Sequence, residues 1–65
     1  MDELTISMQN EAIVVASERL GYPLSQELVN KIRNPRWSYM GLEMIIDTVR
    51  TIHMSEIEKY ISSLE

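Results

Sequence analysis

The stretch Asn34 to His53, NPRWSYMGLEMIIDTVRTIH, constrains this chain more than any other, because it carries the longest and broadest apolar helical pattern. At about 100° per residue, Leu42, Ile45, Ile46, Val49, Ile52 and His53 fall on one arc, and Trp37, Met40, Gly41, Met44, Thr48 and Thr51 fall on the arc beside it. Tyr39, Glu43, Asp47, Arg50 and Met54 are left for a wet side. An amphipathic surface helix needs an apolar stripe a little over ~100° wide, and this one is roughly twice that. The pattern predicts a central helix over 35–53, covered on two sides. Asn34 is placed as its N-cap and Pro35 in the first helical position, where a missing N–H costs nothing. Asp47 and Arg50, three apart, are placed to pair on its outer surface.

The surroundings of such a helix are limited by chain length. A chain of 65 residues makes one domain, and a domain of this size buries only ~60% of the surface its unfolded form exposes. Without cysteine, neither disulfides nor thiolate metal sites can brace the core, and self-association is the usual remaining device. A homodimer that completes the core is therefore expected. Plentiful Leu, Ile, Val and Met argue against disorder. No run approaches the ~18 apolar residues of a membrane span, and MDELTISM is acidic where a secretory signal is basic. These features, with the lack of cysteine, predict a soluble, cytoplasmic protein.

In chain order, residues 1 to 6 read as a short acidic arm with frayed ends. Ser7 is a candidate N-cap for a helix to Leu20, with Met8, Ala12, Val15, Ala16 and Leu20 on one face and Gly21 as the stop. Gly21-Tyr22-Pro23 reads as a turn, because Pro23 biases the residue before it away from helix. A second helix is predicted from Ser25 to Ile32 or Arg33, with Leu24 as a staple and Leu28, Val29 and Ile32 as its apolar side. After His53, Ser55 and Glu58 have capping-box spacing, so a fourth helix is predicted there with Ile57, Tyr60, Ile61 and Leu64 on one face. No strand-like alternation or internal repeat competes. The expected class is all-α, a bundle of four short to medium helices in one domain, 1–65.

Charge is uneven along this order. Residues 1 to 18 carry Asp2, Glu3, Glu11 and Glu18 without a cation, whereas 19 to 36 carry Arg19, Lys31, Arg33 and Arg36 against Glu27 alone. A net charge of −4 opposes non-specific binding to nucleic acid or anionic lipid, which draws on neutralised phosphates. The local basic segment nevertheless supports one nucleic-acid reading. Residues 12 to 20 and 25 to 33 could form a helix-turn-helix, with Gln26, Asn30, Lys31 and Arg33 facing DNA. Against it, Pro23 lengthens the turn, and any two packed helices need a turn and a wet face.

No catalytic constellation is legible. His53, the one histidine, is placed to satisfy the last carbonyls of the central helix, and no nucleophile accompanies it in a recognisable motif. Glu43 and Asp47 lie one turn apart beside Arg50, which favours a solvated face over a cation site. Gly21 and Gly41 are the only glycines, so there is no Gly-rich phosphate loop, and no Cys/His cluster suits zinc. A non-enzyme without cofactor, metal or small-molecule substrate is expected.

Contact with another protein remains. Trp37, Met40, Gly41 and Met44 lie at i, i+3, i+4 and i+7, and aromatic residues and Arg dominate binding hot spots. Met supplies an adaptable surface, Gly41 admits a close backbone, and Arg36 with Tyr39 would form a polar rim. Either the first and fourth helices cover this arc, or it is exposed as a homodimer seam or a partner's groove. The expectation is a small, acidic, non-catalytic protein-binding protein of modulator type, self-associating through this arc.

Overall fold

The computed structural model describes residues 2–64; Met1, the first residue of the expected arm, lies outside them, as does Glu65. The fold is all-α as the pattern predicts, with α1 at Glu3–Leu20, α2 at Gln26–Ile32, α3 at Tyr39–Thr51 and α4 at Ile57–Ser62. A single 3-10 turn at Met54–Glu56 leads into α4.

Three of the four helix starts differ from the predicted ones, and in each case a competing cap wins. The expected N-terminal arm is the first turn of α1: Asp2 is extended and accepts the Thr5 backbone N–H at 2.8 Å, leaving Ser7 inside the helix. The central helix starts four residues later than Pro35. Asn34 closes a tight turn instead, its Oδ1 accepting the Arg36 backbone N–H at 3.0 Å and its carbonyl accepting that of Trp37 at 3.3 Å. Ser38 is the cap of α3, accepting the Gly41 N–H at 3.1 Å. At the last corner His53, not Ser55, does the capping: its Nδ1 accepts the Ser55 N–H at 3.1 Å. α4 then continues from the 3-10 turn with no side-chain cap of its own.

The other local signals hold. Ser25 accepts from the Leu28 N–H to open α2, and Gly21 ends α1 at φ 84°, with its N–H on the Ser17 carbonyl at 2.9 Å. A side-chain-bearing residue would sit about 1–2 kcal/mol worse in that left-handed conformation.

α1 and α3 lie side by side and run in the same direction. Tyr39 at the start of α3 bonds Asp2 at the start of α1, Arg50 pairs with Glu11, and Arg19 reaches the end of α3. Arg50 is thus drawn across to α1, and the expected Asp47–Arg50 pair does not form. Ala12 and Ala16, both fully buried, keep α1 thin where α3 packs. α2 and α4 close the rest of the core, which comprises Leu24, Leu28, Ile32, Leu42, Ile45, Ile46, Val49, Ile57 and Ile61 with the two alanines. Fully burying such aliphatic side chains stabilises a fold by about 1.5–3 kcal/mol each.

The end of α3 is satisfied by a residue from far away in sequence. Arg19 donates from Nη1 to the carbonyls of Val49, at 2.9 Å, and Ile52. A guanidinium at a helix C-terminus meets both the free carbonyls and the negative end of the dipole. His53, expected in that role, is exposed and engaged with Ser55.

Candidate protein-binding face

Only one of the two arcs of α3 is covered. Leu42, Ile45, Ile46 and Val49 are 0–8% exposed, whereas Met40 and Met44, one turn apart on the opposite side, are 71% and 64% exposed. The predicted cover on two sides is therefore absent over these methionines. Tyr39, Glu43, Asp47 and Thr51 share the exposed side of the helix.

The polar groups on this face are largely engaged locally. Thr48 donates its hydroxyl to the Met44 carbonyl at 2.7 Å, and Thr51 donates to that of Asp47 at 2.9 Å, so neither hydroxyl proton is left to donate to a ligand. Tyr39 donates its hydroxyl to Asp2. That bond, followed by the Thr5 backbone N–H, lowers the Asp2 carboxyl from 3.8 to about 2, and the same bond raises the Tyr39 phenol above its ordinary value. What remains unengaged is the pair of thioether chains and two carboxylates: among the described residues neither Glu43 nor Asp47 has an ion-pair partner. No third metal-ligating side chain gathers with these two among the described residues.

The six residues predicted for a binding surface divide into two groups. Tyr39, Met40 and Met44 lie on the open face, and half-buried Gly41 lies at its margin. Trp37 precedes the helix and is turned into the core, its indole N–H donating to the Lys31 carbonyl at 2.9 Å. Its ring also occupies the space beside Gly41: a Cβ there would meet Trp37 Cε3 and Ser38 Oγ, each at 3.4 Å. The room at Gly41 thus serves this chain's own corner. Arg36 lines a separate cleft with Asn34, Trp37, Ser63 and Leu64. Glu43 and Asp47, assigned from sequence to a solvated side, are exposed as expected, each within one turn of Met40 or Met44.

The four residues of the DNA-reading alternative sit on and just after α2. Gln26 donates to Asn30 at 2.9 Å, Lys31 Nζ donates to the Leu64 carbonyl at 3.0 Å, and Arg33 donates to Asn10 at 2.7 Å and Gln9 at 3.5 Å. Both cations hold α2 to its neighbours. α2 has seven residues, or about two turns.

No helix among the described residues is long and apolar enough to cross a membrane. Comparisons with protein-family models, curated proteins and solved structures found no match to this chain.

Proposed function

We propose that this chain is a non-catalytic binding protein whose contact surface is the outer side of α3, formed by Tyr39, Met40 and Met44. One observation carries the reading: two flexible, adaptable side chains stand open on a helix whose inner side is fully buried. Leu4, Ile6, Val14, Tyr22 and Met54 are also exposed, at 41–53%, but none as fully as the two methionines, and exposed apolar residues taken singly are ordinary. The DNA-reading alternative is not carried forward, because Lys31 and Arg33 are engaged with Leu64, Asn10 and Gln9.

A photo-crosslinking amino acid placed at position 44 tests this in cells, with one at the exposed position 14 as control. A discrete crosslinked species from position 44 that is absent from position 14 is the expected result. Equal labelling from both positions, or none from position 44, overturns the assignment of the face.

A further inference from the structure

We infer that the occupant of this face is a cationic amphipathic helix of another protein rather than a second copy of this chain. The inference rests on the binding reading above and adds the chemistry of the partner. Charge decides it. Met40 and Met44 are flanked on the same side of α3 by Glu43 and Asp47, both exposed and without ion-pair partners among the described residues. Of the nearby cations, Arg50 is bound to Glu11 at 2.7 Å, and Arg36 lies before α3, along the cleft beside Ser63 and Leu64. The whole chain carries −4.

Pairing two copies through this face would set four carboxylates, Glu43 and Asp47 from each, around one small apolar seam. Like charges brought together across an interface cost several kcal/mol unless offset. A second copy also has no core to complete at this face, because the core residues that the four helices contribute are already 0–8% exposed within one chain, and the aliphatic residues left open, Leu4, Ile6 and Val14, belong to α1. A partner helix with apolar anchors one turn apart meets the two methionines, which are separated by about 6 Å along α3. Lys or Arg beside those anchors meets Glu43 and Asp47.

The test uses the whole protein and three synthetic amphipathic peptides of about 15 residues, long enough to form helices. All share a leucine stripe and differ in having Lys, Gln or Glu on the polar side. Binding is read by chemical-shift changes in the backbone amides of this chain, at about 0.01 M and about 0.15 M salt, where the screening length is about 30 Å and about 8 Å. The Leu/Lys peptide is expected to shift amides of α3 around Met40 and Met44 and to bind about tenfold tighter than the Leu/Gln peptide at low salt. The double variant Glu43→Gln/Asp47→Asn should lose that advantage with its fold unchanged by circular dichroism. Equal binding of the Leu/Gln peptide at the same face overturns the charge inference and leaves the binding reading standing. Undiminished Leu/Lys binding by Met40→Gln/Met44→Gln overturns both. Concentration-dependent shifts at Met44 without any peptide replace the cationic partner with a second copy.

Discussion

The two sides of α3 make the most instructive comparison in the molecule. Both carry apolar residues at helical spacing. The inner side is built from Leu42, Ile45, Ile46 and Val49, branched aliphatic chains with few rotamers, and it is buried. The outer side is built from unbranched Met40 and Met44 interleaved with Glu43 and Asp47, and it is open. Branched chains fix one packed arrangement, while Met adapts to a shape supplied from outside. Residue type, more than periodicity, separates the side that folds this protein from the side that stays open.

The sharpest way to break the comparison is to truncate one residue on each side. Leu42→Ala should cost about 2–5 kcal/mol. That is a large share of what a small domain has, at roughly 0.05–0.15 kcal/mol per residue. Met44→Ala should change stability by less than about 0.5 kcal/mol. Urea unfolding followed by circular dichroism measures both, and comparable losses would show that the outer side is also core.

A smaller effect is expected at Arg19, which ties α1 to the end of α3. Arg19→Met keeps the apolar stem and removes the bonds to Val49 and Ile52, for an expected loss of about 1.5–3 kcal/mol in the same unfolding measurement. Stability unchanged would mean that water replaces the guanidinium there at no cost.

Among the described residues, Gln9 is the one polar side chain within the buried set, 1% exposed, and its Nε2 has no hydrogen-bond partner. Its Oε1 receives only the long contact from Arg33 at 3.5 Å. Gln9→Met should therefore raise stability by about 1 kcal/mol, the lower end of the cost of an unsatisfied buried group. A fall in the urea midpoint would instead show that the Arg33 contact is needed to hold α2.

The mildest prediction concerns the start of α1. Asp2 has a folded pKa of about 2 against an ordinary 3.8, so its contribution is complete above about pH 4 and is lost as pH falls through 2. Protection of the first-turn amides, taken relative to their intrinsic exchange at each pH, should fall over that window in the wild type. In Asp2→Asn, which keeps a capping oxygen without the charge, that protection should not change. Tyr39, raised by the same bond, carries the opposite sign: its contribution is present below pH 10 and is lost as pH rises through its elevated pKa.

These contrasts also explain which parts of the molecule were legible in the sequence. The all-α class, the inner face of α3, the Ser25 cap, the Gly21 stop and the apolar face of α4 each follow from spacing and local chemistry, and each is found. The missed helix starts have a common cause. Asp2, Ser7, Asn34, Ser38, His53 and Ser55 are all competent caps, and tertiary bonds accompany the outcome at two of the three corners. Tyr39 reaches Asp2, and the Trp37 indole reaches the Lys31 carbonyl, pinning a corner that Pro35 alone would have left helical. Arg19 acting on Val49 and Ile52 spans more than thirty residues to the latter, beyond the reach of any local pattern. At the candidate site, spacing placed Met40 and Met44 on one arc and both are exposed, while Trp37 and Arg36 lie away from it because the helix starts after them.

The inner side of α3 closes the core within a single chain and leaves Met40 and Met44 on the outer side exposed. Urea unfolding at two protein concentrations about a hundredfold apart tests it most directly, because a partner subunit that completes the fold makes the midpoint depend on concentration. Coincident transitions are the expected result. A midpoint that rises with concentration would mean that a second copy covers Met40 and Met44 and that the two sides of α3 are both part of one shared core.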